Sequence, residues 1–399
     1  MPHSLAPDAD AHAHSDRLHA LIADQIAQAG GAIPFSRFME LALYAPGLGY
    51  YSAGATKFGR AGDYVTAPEL GTLFAECVAE ALAPVLRQVG EDAQFAETCF
   101  LELGGGSGAF AEAAIKQLMA LDAMPARYAI LEPSADLRQR QRERLQRTLT
   151  PAVFDCVAWL DGPLQDTWHG VLFANELIDA LPTPRFTLRD GEVYEEHVTV
   201  GGDGGFARVD RPADALLTAA VRHVERQREV PFADGYRSEL LPQLPYWLQA
   251  VMGGLGAGAM LFVDYGYPRR EYYAPERGDG TLRAFHRHRM VEDVTARVGL
   301  QDITASVDFT ALAEAGTGAG FEFAGYCSQA SLLIGNGLQQ RLETQEARAP
   351  DEAARYALRQ QVQRLTLPGG MGERFQAMGF ERDAGFGAAF HAGDLSFRL

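Results

Sequence analysis

From Thr98 onward the chain alternates apolar runs, turns and helical segments, and this alternation constrains its fold more than any other feature. CFLELGGGSGAFAEAAIKQLM (99–119) reads as strand, glycine turn and helix, and RYAILEPSADLRQRQRERL (127–145) repeats the pattern. A shorter strand is expected over Val153–Trp159. GVLFANELIDALP (170–182) reads as strand, turn and short helix, and GAMLFVDYGY (258–267) as a buried strand with a polar end. Such alternation specifies a parallel sheet with helices on both faces. The expected class is therefore α/β, a Rossmann-like doubly wound sheet whose ligand sits beyond the carboxyl ends of the strands.

The remaining segments decorate that core. Residues 1–16 read as a polar, disordered tail, with His12 and His14 solvated and no metal expected. Residues 17–97 form an N-terminal helical cap with a glycine- and tyrosine-rich loop at 46–69, a length that usually carries function. Within the cap, 17–30 and 33–44 read as helical segments, and Pro68-Glu69 opens a helix running to about Leu86. The first half of the core spans 98–185. An insertion at 186–254, between the fourth and fifth strands, comprises a hairpin turning at Asp190-Gly191 and helices over 212–228 and 238–252. Residues 255–399 complete the core, with 321–328 and the C-terminal GFGAAFHAGDLSFRL expected as an antiparallel pair. Asp308 is expected to cap a helix.

Across 399 residues, 35 Lys+Arg against 52 Asp+Glu give a formal charge of −17, while 47% of residues are hydrophobic. A chain this acidic lacks the basic face of a general nucleic-acid binder, whereas a basic partner would be attracted to it. No apolar stretch approaches the ~20 residues of a membrane span. The first residues have neither a basic nor an apolar signal region. The four scattered cysteines fit reduced core thiols, so a cytoplasmic location is expected.

Glu102, Gly104, Gly106 and Gly108 form an E-x-G-x-G-x-G string, the arrangement seen where the amino end of S-adenosylmethionine meets a strand end. Gly104, Gly106 and Ala109 also satisfy the relaxed dinucleotide fingerprint. Glu132 ends the second strand, where a carboxylate can accept both ribose hydroxyls of either cofactor. Trp159, near the third strand, is either an adenine wall or a core aromatic. Asn175 and Glu176 follow the fourth strand, and Asp179 lies three residues beyond Glu176. These two carboxylates suit a cationic or proton-losing nitrogen, although Asp179 could instead pair with Arg185. Asp264 ends the fifth strand. The loop before the sheet contributes Asp63, Tyr64, Thr66 and Glu69 as a lid over the crevice, and Tyr50 and Tyr51 could line it. The arginines at 138, 140, 142, 144 and 147 read as a solvated helix face. RAFHRHR (283–289) lies beside the crevice, with His286 or His288 a weaker choice of base.

Together these motifs resemble the MidA-like family of S-adenosylmethionine-dependent methyltransferases, which includes a mitochondrial complex I assembly factor that methylates an arginine of a partner subunit. The resemblance runs from about Ile33 to Asp308. It rests on GYY and GDYVTAPE, ELGGGSG, LEPS, ANELIDALP, DYGY, and LRAFHRHRM before DITASVDF. It implies a class I methyltransferase fold with the cofactor on Glu102, Gly104, Gly106, Gly108 and Glu132. Asn175, Glu176 and Asp179 would lie at the transfer site, reached by Asp63 and Glu69, and the acceptor would be a basic residue of a partner protein, such as a complex I subunit. Ala67 stands where many members have serine, and Asn175 and Leu177 differ from the His and Phe of the mitochondrial relative, which bears on the acceptor. Two other readings remain at this level: a non-catalytic assembly chaperone that retains the cofactor, and an NAD-dependent oxidoreductase. The insertion could serve as a homodimer surface or a partner-docking surface.

Overall fold

The computed structural model describes residues 9–52, 66–92, 97–287 and 289–399. Its centre is an eight-stranded sheet. Seven strands are β1 (Thr98–Leu103), β2 (Arg127–Leu131), β3 (Val157–Leu160), β4 (Thr167–Asn175), β5 (Gly254–Tyr267), β6 (Glu322–Ser328) and β7 (Phe375–Arg382). Their spatial order is β6-β7-β5-β4-β1-β2-β3, and the eighth, Val307–Asp308, runs parallel to the end of β5. Strands β1 to β5 are mutually parallel, and β7 is antiparallel to both its neighbours. The order reverses between β1 and β4, which opens a crevice at their carboxyl ends.

The sheet is apolar because both faces are covered. Val171, Leu172, Phe173 and Ala174 of β4 and Ala259 to Val263 of β5 are buried throughout. One face packs on the helices Leu73–Glu91 and Ala109–Ala120, the other on Leu244–Met252 and Phe309–Gly318. Asp308 caps the last of these, its Oδ1 accepting the Ala311 N–H at 3.1 Å.

The cap and the insertion share a second, five-stranded sheet. The hairpin Arg185–Arg189 and Glu192–Val200 turns at Asp190 and Gly191, whose φ of 50° and 77° suit the twist of a two-residue hairpin. Ile33–Pro34 of the cap pairs with Val198 and His197 on that hairpin. Arg185 lies at its base, 1% exposed. Its guanidinium donates to Glu239 at 2.9 Å, to Glu196 at 3.1 Å and to the Asp279 carbonyl at 2.8 Å. Asp179 is not among these partners. Glu239 in turn accepts the Thr281 backbone N–H at 2.7 Å and its hydroxyl at 3.1 Å, tying the insertion to the segment after β5. A small sheet of Arg289–Val291, Arg283–His286 and Asp302–Thr304 lies beyond that segment.

Several boundaries differ from the sequence expectations. The first helix spans Ala9–Gln28, so 9–16 are helical rather than a loose tail: His14 Nε2 meets the Leu48 carbonyl at 2.8 Å and Ser15 donates to Val298 at 2.9 Å. Val153 lies in a short helix, Pro151–Phe154, and β3 starts at Val157. Residues 67–70 form a separate 3₁₀ turn, because Gly71 takes a φ of 147° before the long helix begins at Leu73. Ser238 and Glu239, expected to be helical, belong instead to the strand Arg237–Glu239, held by the Arg185 cluster. The antiparallel partner of β6 is β7, Phe375–Arg382, rather than the C-terminal tail, which only bridges Cys327 through Asp394.

Arg185→Gln should destabilise the protein by about 3–5 kcal/mol, because Glu196 and Glu239 would stay buried without their cation. Urea unfolding measures this, and a change below about 1 kcal/mol would show that the two sheets do not depend on the cluster.

Candidate functional site

A cavity of about 1000 Å³ opens at the carboxyl ends of β1, β2, β4 and β5. The glycine turn forms its floor. Gly104, Gly106 and Gly108 take φ values of 69°, 51° and 79°, where a side chain would be strained. Space is also short: a Cβ on Gly104 would lie 2.8 Å from Leu177 Cδ1, and one on Gly105 would lie 2.9 Å from Ile130 Cγ2. Gly104, Gly105, Gly106 and Ser107 line the cavity, but Gly108 does not. Gly108 instead packs against the Gln141 backbone, bringing helix Ala109–Ala120 close to helix Ala135–Thr148.

Glu102 and Glu132 are buried at adjacent strand ends. Burial pushes Glu102 up to about 8, opposed by a 2.8 Å hydrogen bond from the Tyr128 hydroxyl. Burial likewise raises Glu132 to about 7, opposed by the Ser134 N–H at 3.0 Å and by Gln141 Nε2 at 3.4 Å. With the Gly106 N–H as a third donor, the Glu132 carboxylate, which has about four lone-pair sites, still keeps acceptor capacity for a ribose hydroxyl. Gln141 was hidden in the arginine-rich helix read as a solvated face. It is wholly buried, donates to the Gly106 carbonyl at 2.9 Å and accepts the Trp159 indole N–H at 2.9 Å. Trp159 stands outside the cavity lining, its indole N–H bonded to Gln141 and the Arg142 guanidinium 4.6 Å over its ring. Its place as an adenine wall is not what the structure provides. The narrow glycine floor, a carboxylate with free acceptor capacity and a second carboxyl near the turn fit an adenosyl group carrying an ammonium.

The other end of the cavity is acidic. Asp264 does not line it. Its Oδ2 accepts the backbone N–H groups of Leu177, Ile178 and Asp179 at 3.1, 2.9 and 3.3 Å, and its Oδ1 accepts that of Tyr265 at 2.9 Å. Asp264 is therefore a positioning residue rather than a catalytic one. Burial, then the Glu176 charge, raises it to about 7. The turn it holds starts at Glu176, whose φ of 49° directs the chain sharply away from β4 while its N–H still bonds Val263 at 2.9 Å.

Asn175, Glu176 and Asp179 line the cavity together, as does Asp302. Asn175 Nδ2 donates to Glu176 at 3.2 Å. Burial, then the Asp179 charge, pushes Glu176 up to about 8. Asp179 is raised well above the usual carboxylate range by burial, then by Asp264 and Asp302. Asn175 Oδ1 and Asp179 Oδ1 are both buried without a hydrogen-bond donor among the described residues. Tyr51 donates to both Asp302 oxygens at 2.9 Å, and Tyr44, stacked on Tyr51, donates to the Ala180 carbonyl at 2.9 Å. Tyr50 is buried behind them.

Asp302, Tyr44 and Tyr265 were not singled out from the sequence, although Asp302 begins the DITASVDF motif. From the loop before the sheet, Thr66 and Glu69 line the cavity, and Ser107 donates to Glu69. Asp63 and Tyr64 lie outside the described residues, as does His288. His286 is buried away from the cavity, its Nδ1 2.5 Å from the Leu300 carbonyl.

Comparisons with known proteins identify the family. Residues 77–327 match the family model described as "Putative S-adenosyl-L-methionine-dependent methyltransferase". A Burkholderia thailandensis protein of the COG1565 superfamily, solved bound to S-adenosyl-homocysteine, is 38% identical, with a TM-score of 0.89 over 99% of each chain. A curated relative, the mitochondrial protein arginine methyltransferase NDUFAF7 homolog of Drosophila melanogaster, is 28% identical over 94% of this chain and 87% of its own. The human protein arginine methyltransferase NDUFAF7 is 25% identical over 86% and 79%.

Glu132→Gln should weaken S-adenosylhomocysteine binding about tenfold or more at pH 8, because one charged acceptor of the diol is lost. The unliganded variant should be no less stable, since a desolvated carboxylate has been neutralised. Calorimetric titration and thermal melting read the two effects, and unchanged affinity would place the ribose elsewhere.

Proposed function

The chain belongs to the MidA-like family of S-adenosylmethionine-dependent methyltransferases, and from that premise we propose that its acceptor is an arginine side chain of a partner protein. The observation that supports this reading is the acidic end of the cavity. Glu176, Asp179 and Asp302 meet there among tyrosines, with two acceptor oxygens left unpartnered among the described residues. A planar guanidinium presents five donors in a fixed fork and stacks on aromatic faces, which matches that donor-poor, carboxylate-rich lining. A carboxylate or phosphate acceptor would find no cationic partner among Glu176, Asp179 and Asp302. The names of the curated relatives point to the same class.

Bound S-adenosylmethionine supplies a methyl group already activated on a sulfonium sulfur. What remains for the protein is to orient the acceptor and take up its proton. Glu176 and Asp179 accept from the guanidinium fork and concentrate electron density on the attacking nitrogen. As the new N–C bond forms and the S–C bond breaks, that nitrogen loses a proton, and Glu176, ionised by the entering guanidinium, is placed to receive it. Asp264 holds the turn so that Glu176 and Asp179 keep their spacing.

Glu176→Gln should abolish methyl transfer and leave S-adenosylhomocysteine affinity unaltered; full turnover by the variant would remove Glu176 from this role. Mass spectrometry of proteomes with and without the protein should find methylarginine lost from its substrate. Acceptor binding should also move protons. A guanidinium lowers the raised pKa values around it, so carboxyls protonated at pH 7 ionise and release protons as the arginine enters. Calorimetry in buffers of different ionisation enthalpy should record that release, and a buffer-independent heat would mean that the acidic cluster does not receive a cation.

A further inference from the structure

The deep end of the cavity is anionic, yet its wall toward solvent is not. Arg277, Arg283 and Arg374 all line the same cavity, Arg283 and Arg374 exposed and Arg277 half-buried. None of the three forms an ion pair with a described residue. Two of them are nonetheless held in place. Arg277 lies 3.9 Å over the Tyr267 ring and donates to the Glu271 carbonyl, and Arg283 donates to the Leu282 carbonyl at 2.8 Å.

Arg283 belongs to the strand Arg283–His286, in which Ala284 and His286 are buried while Arg283 and Phe285 alternate toward the cavity. Phe285 pairs across the turn with exposed Met290, which lines the cavity as well. Arg283, Phe285 and Met290 thus build one wall of the entrance, apolar at Phe285 and Met290 and cationic at Arg283. Arginines without an ion-pair partner among the described residues are unusual neighbours for a site that must admit a cation, especially in a chain of net charge −17. A lone guanidinium would be repelled on the way in. A guanidinium flanked by carboxylates would be drawn in at both levels.

We propose that the partner segment carries its methylated arginine among acidic residues, which bind Arg277, Arg283 and Arg374 while the arginine reaches Glu176, Asp179 and Asp302. The inference rests on the arginine reading above and adds the sequence context of the acceptor. It makes the rim a specificity filter: basic-flanked arginines are excluded by like charge, and acidic-flanked ones are held in register by these cations.

The test uses full-length protein saturated with S-adenosylhomocysteine, so that binding is read without turnover. Fluorescent peptides with a central arginine are titrated with flanks of Asp/Glu, Ser/Ala or Lys. The acidic-flanked peptide should bind about tenfold or more tightly than the lysine-flanked one at low salt, and the gap should shrink as salt rises. In the Arg283→Glu/Arg374→Glu double variant the preference should collapse or invert, with S-adenosylhomocysteine affinity unchanged. Equal binding of all flanks, or no binding of any, overturns the proposal. Loss of S-adenosylhomocysteine affinity in the double variant also overturns it, by assigning the arginines to the cofactor. A control peptide with acidic flanks and citrulline in place of arginine separates the two readings. If it binds as well as the arginine peptide, the rim filter stands and the arginine acceptor falls.

Discussion

Four backbone N–H groups converge on the carboxylate of Asp264, and the acidic half of the cavity depends on that convergence. Where β4 ends, the chain must leave the sheet at once, and the amides of Leu177, Ile178 and Asp179 lose their ladder partners. Unmet, they would each carry a desolvation penalty of about 1–3 kcal/mol. Meeting them with one buried carboxylate costs less and fixes the turn. That turn sets Asn175, Glu176 and Asp179 side by side, in a region where Glu176 itself is held at a φ that β-carbons resist. The strain and the buried charge are tolerable because the amides supply Asp264 with compensating dipoles.

A comparable economy governs the cofactor half. Gln141 is one side chain with three obligations: the Gly106 carbonyl, Glu132 and the Trp159 indole. It links glycine turn, second strand end and third strand through a single buried amide, so the floor and the ribose-side carboxylate move as one body. Asp264 and Gln141 thus do equivalent work at opposite ends: neither needs to touch the reacting atoms for the site to exist.

How much of this could be read from the sequence depends on how local the cause was. The parallel core, the glycine turn and the acidic residues after β1, β2 and β4 were legible, since strand alternation and a helix-capping glycine turn act over a few residues. Asp264 was placed correctly at a strand end, but its role was not visible, because four amides from two segments decide it. Trp159 and Gln141 exchanged significance for the same reason. A glutamine set between arginines carries no local mark of burial, and only the packing of helix 135–148 on Gly108 turns it inward. Asp302 lay inside a recognised motif, yet its place beside Glu176 arises from pairing of a small sheet far along the chain. The segment Phe375–Arg382 was overlooked as a strand because its apolar run is brief and its neighbours are glycine-rich.

The pairing of Ile33–Pro34 with Val198 and His197 has a consequence in time. During synthesis the cap emerges first, but the strand that completes its sheet follows only after β1 to β4 have left the ribosome. Asp302 and the arginine-bearing wall come later still. The central sheet also waits for β7, near the end of the chain, to join β5 and β6. Contacts so distant in sequence slow folding and leave apolar edges open meanwhile. A nascent chain would therefore hold its glycine turn long before it holds an enclosed acceptor site, and cofactor capture could precede any ability to engage a partner protein.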